Sequence, residues 1–445
     1  MNLSSVGAQV SMPPGPGLSP GRQLLRYLRS PSRFFDQCLR EHGEIFTAEL
    51  GRGRRWVVVA TPRLVRELFH ADPSLFQAGE AKRSIFEPVV GTRSSLVLDG
   101  PEHLRRRKAI APILAGERSS ESNRALIALC REQVARWPRG VAFPAHERLQ
   151  EIVFRGIFTN VFGPLTAIRA PLYAALKEMT SRVVGSRLLL MPALQWDLGP
   201  LSPWGRIRRI MAQVDRQVAL AIEGGPPDSG GEILSGLLAL RDASGQALSN
   251  REIRDELVTA IVAGHEITGI SLAWALANFL SRPEIMARIR NELSEGIEGG
   301  LSYLEAAIKE SLRMSSAVMI GSARKLRGDA DFHRYRLPAG TMLVAYFHGL
   351  HRRPESFPEP ERFIPERFLP EGFRGVKLDP YGWIPFGGGL RRCLGATLAI
   401  HQMKMVLATV LSEVRLELEG GMPEGVRRGA FFAPRGGTSV RCGIR

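Results

Sequence analysis

Between Ser249 and Ser281 the chain holds a helical apolar pattern with no break. Ser249 and Glu252 form a capping box at its start, with Leu248 as the staple residue. Arg282-Pro283 stops it, because the residue before a proline is pushed out of helical geometry. The run is about 33 residues, or roughly 50 Å at about 1.5 Å per residue. Charged residues thin out after Glu256. A helix that long and that apolar belongs in an interior, with other elements packed around it.

The rest of the chain supplies those elements. The first 20 residues are rich in Pro, Gly and Ser and read as an irregular lead-in, with one domain expected over 21–445. Arg22 to His42 has helical spacing. Ile45–Leu50 and Arg55–Ala60 read as two strands turning at Gly51-Arg52-Gly53. A mostly helical region runs from Pro62 to Arg282, with breaks at Gly91–Gly100, Gly163-Pro164, Met191–Pro203 and Gly224–Gly231. After Leu312 come short strands, turns and prolines up to Pro385. One more helix follows Cys393, and the tail from Gly420 alternates like hairpin strands.

Charge narrows the partners. Lys and Arg number 60 against 44 Asp and Glu, a net +16. The surplus is spread along the chain, with short clusters such as Arg105 to Lys108. There is no basic tail, zinc-finger spacing or RNA-binding aromatic signature, so nucleic acid ranks low. The four cysteines, Cys38, Cys130, Cys393 and Cys442, are far apart, which excludes a disulfide scaffold and fits a reducing compartment. No signal peptide or membrane anchor is read at the N-terminus, so a cytoplasmic protein is expected.

Cys393 lies in Phe386-Gly387-Gly388-Gly389-Leu390-Arg391-Arg392-Cys393-Leu394-Gly395. Three glycines permit close backbone approach or positive φ. Two arginines and a following helix N-terminus favour a thiolate, which could bind a metal. An isolated cysteine is more often a buried, inert one. This one is not isolated. The stretch resembles the haem-binding signature Phe-x-x-Gly-x-Arg-x-Cys-x-Gly of the cytochrome P-450 family at every fixed position. Composition alone would produce its Phe, Gly, Cys and Gly roughly 0.002 times in such a chain.

Other segments resemble the family in its order. Glu310-Ser311-Leu312-Arg313 is similar to its Glu-x-x-Arg helix, and Phe363 to Phe368 to its Pro-Glu-Arg-Phe element. The resemblance implies a buried, structural network of Glu310, Arg313 and Arg367. It implies haem-propionate contacts from His103 and Arg107, four apart on one helix face, from Arg324 on a strand and from Arg391 in the signature. Phe386, Gly387 and Gly395 complete the implied cofactor loop, with Cys393 as the axial ligand to iron.

On the long helix, Ala263-Gly264-His265-Glu266-Ile267-Thr268 resembles the family's oxygen-binding segment. A mid-helix glycine costs about 1 kcal/mol, and Gly264 is expected to let a flat ligand approach. Ala263, Ile267 and Ser271 stack on one face that could meet the haem. Glu266 supplies the family's acid, but Ile267 stands where the alcohol follows it, and isoleucine cannot relay a proton. Glu266 and Thr268 are the expected protonation residues. Water or a substrate hydroxyl could serve instead, or the reaction could tolerate poor proton delivery.

The fold implied is mainly α: one large helical domain with small β-sheets. The function implied is a bacterial-type haem-thiolate monooxygenase carrying haem (heme b, iron protoporphyrin IX), which hydroxylates or epoxidises a largely apolar small molecule, free or carrier-bound. Secondary metabolism or lipid and terpenoid oxidation is the expected setting. The pocket would be lined by the Phe76–Val97 loop, Leu188–Trp196, Ser315–Ile320 and Phe431-Phe432. Ser315 and Ser316 stand where family members often have proline. Electrons would come from NAD(P)H through an acidic ferredoxin or flavodoxin docking on the basic clusters, and a monomer is expected. Ile267 motivates an alternative, oxidative coupling or peroxygenation. A non-catalytic haem-binding protein is the second alternative.

Overall fold

A computed structural model describes residues 12–51, 53–115, 120–184, 186–190, 195–196, 199, 202–226, 231–241, 245–297 and 300–443. In chain order the elements begin with helices α1 (Pro20–Arg29) and α2 (Pro31–His42), strands β1 (Ile45–Glu49) and β2 (Arg55–Val59), α3 (Pro62–His70) and β3 (Phe76–Gln77). Then come α4 (Glu80–Val90), α5 (Gly100–Ala115), α6 (Ser120–Ala135), β4 (Ala142–Pro144), α7 (Ala145–Phe162), α8 (Ala170–Glu178), α9 (Pro203–Glu223) and α10 (Glu232–Ala239). The long helix is α11 (Asn250–Leu280), followed by α12 (Pro283–Ser294) and α13 (Ser302–Met314). Strands β5 (Ile320–Leu326), β6 (Ala330–Phe332), β7 (Tyr335–Leu337) and β8 (Met342–Tyr346) precede the short α14 (Phe347–Leu350). The chain ends with α15 (Ala396–Glu413), β9 (Leu416–Leu418), β10 (Gly425–Arg428), β11 (Phe431–Pro434) and β12 (Ser439–Cys442).

The mainly helical architecture with small sheets is as expected. Two compact units divide the chain. The first holds Met1–Lys82, Val318–Arg362 and Lys377–Cys393, and the second holds the rest.

In the first unit, a five-stranded sheet has the order β1-β2-β8-β5-β3. β2 and β8 run parallel and the other pairs antiparallel. Val57, Val59, Leu343 and Ala345 sink one face into a core with Leu64, Leu68 and Phe69 of α3. The helix expected over Arg22 to His42 is two helices, because Pro31 offers no amide hydrogen to continue the first. Of the lead-in, residues 1–11 lie outside the described residues. Residues 12–19 carry no regular element, and the Pro13 and Pro14 carbonyls accept from the Thr47 hydroxyl and amide.

The second unit is built around α11. Its capping box is present as read. By length and composition it could cross a membrane, but most of its positions are buried in this unit. Strands β3 and β4 interrupt the region read as helical. The expected hairpin in the tail is β10–β11, and β4-β12-β9 forms a three-stranded sheet.

One buried ion cluster ties α13 to the segment after Phe363. Arg313 donates from Nε and Nη2 to the two Glu310 oxygens, at 2.7 and 2.9 Å. Arg367 Nε lies 3.3 Å from Glu310 Oε1, which also accepts from the Ile364 amide at 2.8 Å. Glu310 and Arg313 are both 0% exposed, so this is no surface pair. Removing one partner leaves uncompensated buried charge, at a cost of about 3–5 kcal/mol. Glu310→Gln should therefore lose stability on that scale in urea titration of the haem-loaded protein. Glu305→Gln, which breaks a part-exposed pair with Lys309 and Lys404, should lose less than about 1 kcal/mol.

Candidate haem-thiolate site

The cysteine loop is shaped by its glycines. Gly387 and Gly389 take φ of 65° and 59°, in the left-handed region that favours glycine. A Cβ on Gly388 would stand 2.1 Å from the Phe69 ring, and one on Gly387 would stand 3.2 Å from Ser322 Oγ. So the glycines do permit close approach, and what comes close is α3 and β5. The Cys393 amide closes the loop by donating to the Phe386 carbonyl at 2.9 Å. Upstream, the Ile384 amide donates to Nε2 of the fully buried His351 at 3.0 Å.

Cys393 is exposed, whereas the other three cysteines are buried. Burial pushes the Cys38 thiol up to about 11 and the Cys130 thiol up to about 12, which disfavours a thiolate at either. Arg324 lies two residues along β5 from Ser322, which meets the same loop at Gly387. Strand β5 bulges between Gly321 and Arg324, with Ser322 at φ 52°, and the extra residue re-aims Arg324. Its guanidinium donates to the Ser322 and Ala323 carbonyls at 3.1 Å. The first unit therefore brings together Cys393, Phe386, Gly387, Arg391 and Arg324.

The second unit holds His103, Arg107, Ala263, Gly264, Glu266, Thr268 and Gly395. His103 is buried on α5 and Arg107 is part-buried one turn on. Thr259, Ala260, Ala263 and Ile267 form a part-open stripe along a helix that is otherwise mostly buried, and Ala263 is exposed. Ile267, Phe431 and Phe432 pack against one buried cluster of Ile270, Trp274, Ala317 and Ala433. This joins two segments read as pocket lining. Of the others, Met191–Leu194 lies outside the described residues.

Several readings need correction. Gly264 does not open toward a flat ligand: a Cβ there would meet Ile157 of α7 at 3.0 Å, so this glycine serves helix packing. Thr268 is 5% exposed and about 100° around the helix from Ile267, so its hydroxyl is off the open stripe. Ser271 is likewise buried. Both Glu266 oxygens are engaged, Oε2 by the Gln150 amide and Oε1 by Arg428 at 3.5 Å. Arg428 also meets His146 Nδ1 at 3.0 Å. Arg106 does not belong to a basic face. It is buried and pairs with Glu252 and Glu256. Phe69, Ser322 and Gln150 went unread because only their distant partners carried a signal.

Two carboxylates of α11 hold the 91–96 loop. Asp255 accepts from the Arg93 amide at 2.9 Å, and Glu256 accepts from the Ser95 amide and hydroxyl at 2.7 and 2.9 Å. Burial pushes the Glu256 carboxyl up to about 7, against the lowering effect of Ser95 and Arg106.

The donor set fits a haem. Each unit by itself carries groups that suit one: the first an exposed thiol on a tight glycine loop with Arg324 and Arg391, the second His103, Arg107 and an open small-residue stripe.

A family model described as cytochrome P450 matches residues 13–437. Cytochrome P450 135B1 of Mycobacterium tuberculosis is 31% identical over 98% of this chain and 92% of its own. Cytochrome P450 138 of the same species is 32% identical over 97% and 96%. Among solved structures, a retinoic acid-bound cyanobacterial CYP120A1 is similar, with TM-score 0.81 and 24% identity, covering 97% of this chain and 99% of that one. At that identity the likeness speaks for the fold.

Two measurements test the geometry. Gly388→Ala should deplete the thiolate-type carbon monoxide spectrum, because the new Cβ collides with Phe69, and adding Phe69→Leu should recover part of it. Glu256 holds its proton to about pH 7 when folded but only to 4.5 when unfolded. Its contribution, roughly 3 kcal/mol, is present below pH 4.5 and is lost as pH rises through 7. Urea titrations at pH 5, 6.5 and 8 should show this slope in the native protein and its loss in Glu256→Gln.

Proposed function

This chain belongs to the cytochrome P450 family and is a haem-thiolate monooxygenase, and on that premise we propose that Cys393 Sγ would hold the iron of a b-type haem. The observation carrying this is the exposure of Cys393 alone among four thiols, on a loop whose glycines leave no room for a side chain. When bound, the haem supplies dioxygen activation and oxygen-atom transfer. The chain's own residues do the rest. The loop holds the thiolate, with the Cys393 amide tied to Phe386. Arg324 and Arg391 of the first unit, and His103 and Arg107 of the second, would each offer a cationic or hydrogen-bonding group to a propionate. Phe386, Gly387 and Gly395 shape the cofactor loop, and Ala263 leaves room beside the macrocycle.

The substrate is a fairly large, largely apolar molecule that is hydroxylated or epoxidised. The apolar cluster of Ile267, Trp274, Ala317, Phe431 and Phe432 supports this, since such walls select by apolar fit. Electrons come from NAD(P)H through an acidic ferredoxin or flavodoxin, for which exposed Arg105, Lys108 and Arg392 are the candidate contacts. A cytoplasmic location suits the buried, unbridged thiols.

Reduction with dithionite under carbon monoxide tests the ligand. A strongly red-shifted Soret band is expected, and Cys393→His should move it to the ordinary histidine-haem position with loss of turnover. A native spectrum already of histidine type would overturn the assignment.

A second reading has an observation behind it. Among the described residues along the part-open face of α11, Thr259, Ala260, Ala263 and Ile267, the one hydroxyl is that of Thr259, which is engaged by the Asp255 carbonyl and by Ser94, and Glu266 is tied to Gln150 and Arg428. Proton supply then falls to water or to the substrate, or the enzyme couples phenols or uses peroxide. Ile267→Thr should raise the fraction of reductant appearing in product if proton delivery limits turnover. No change in coupling, with strong peroxide-driven turnover, would favour the second reading.

A further inference from the structure

Helix α1 has a sharply divided surface that its packing does not use in the ordinary way. Its sequence is PGRQLLRYLR. The residue it buries most is a glutamine. Gln23 is 4% exposed, donates to the Leu18 carbonyl at 2.8 Å and accepts from the Glu49 amide at 2.9 Å. Tyr27 adds edge contacts to Phe35 and Trp56, at 5.5 and 6.0 Å between ring centres. These anchors fix the helix on the β1–β2 hairpin and turn its leucines outward: Leu25 is 67% exposed and Leu28 51%.

Around them stand Arg22, Arg26 and Arg29, all exposed. At about 100° per residue, Leu28, Leu25, Arg29, Arg22 and Arg26 sweep a continuous arc of about 160°. No carboxylate interrupts it, and none of the three arginines has an ion-pair partner among the described residues. Arg54, exposed in the adjoining hairpin turn, adds to the same charge.

We propose that this face of α1 docks on an anionic lipid bilayer. The two leucines would enter the headgroup–acyl boundary while the arginines reach lipid phosphates, the arrangement of an interfacial helix. Size argues against a protein partner. A ten-residue helix is about 15 Å long and about 10 Å wide, far short of the roughly 800 Å² each partner gives a standard interface. A bilayer sets no such minimum, because a few inserted side chains and a charged surface suffice. The benefit, which rests on the apolar-substrate reading above, is that the enzyme sits where such molecules partition.

The test is co-sedimentation of the haem-loaded, full-length protein with vesicles. Vesicles of mixed phosphatidylcholine and phosphatidylglycerol are compared with pure phosphatidylcholine, at low and high salt. Binding to the mixed vesicles at low salt, weakening at high salt, is expected. The triple variant R22Q/R26Q/R29Q should weaken it about tenfold or more. L25S/L28S should weaken it severalfold while keeping the preference for anionic lipid. These side chains are exposed, and an unchanged carbon monoxide spectrum in each variant will show that the haem site is intact. Binding by the variants equal to the native protein, or no binding at all, overturns the proposal. So does arginine-dependent capture of an acidic ferredoxin without vesicle binding. Turnover is not read, so failure here leaves the monooxygenase assignment standing, and failure of that assignment leaves the vesicle result standing.

Discussion

The second unit depends on how closely α11 can approach α7. Gly264 and Gly269 present bare backbone to Ile157 and Gln150, and a methyl group at either would press within 3.0 to 3.3 Å of its neighbour. Close packing of two long helices offsets the roughly 1 kcal/mol that a mid-helix glycine costs. From that fixed axis every turn of α11 has a task. Glu252 neutralises Arg106 of α5, with Glu256 3.6 Å from the same guanidinium, and Asp255 and Glu256 tether the 91–96 loop. Trp274 stacks on Phe432 and donates to its carbonyl at 3.0 Å, while Asn278 donates to Ser311 in the last turn of α13 and to Ser315 just beyond it. The stripe at Ala263 is the part of this helix left open.

The first unit meets the same demand at smaller scale. A thiolate ligand must be exposed yet immobile. The Gly387–Gly389 run achieves this by laying its backbone against Phe69, with Ser322 filling the space beside it. The same Ser322 stands in the bulge that aims Arg324. Thus the cysteine loop and the bulge that carries Arg324 meet through one packing detail, Ser322 against Gly387.

Much of this was legible in order and spacing. The capping box and the proline stop bounded α11 to within a residue, because both act locally. The cysteine signature and the Glu-x-x-Arg pair were legible because their chemistry requires fixed residues at short range. The misreadings share a cause. Gly264 reads as an opening in one dimension, and only the neighbouring helix shows that its bare side is already filled. Thr268 is one position from Ile267 in sequence and about 100° away in space. Arg106 looks like one cation among four until Glu252 and Glu256 are found beside it.

Sequence alone therefore determined what is local: the mainly helical composition, the limits of the long helix, the thiol on its glycine loop and the missing alcohol at Ile267. These follow from backbone propensity and from chemistry within a few residues. Tertiary structure decided which groups are neutralised, which glycine makes room for what, and which leucines stay in water. Those outcomes turn on partners 50 to 300 residues away in the chain, such as Glu310 with Arg367 or Glu266 with Gln150 and Arg428. No local pattern encodes them, because burial and ion pairing are properties of the packed whole.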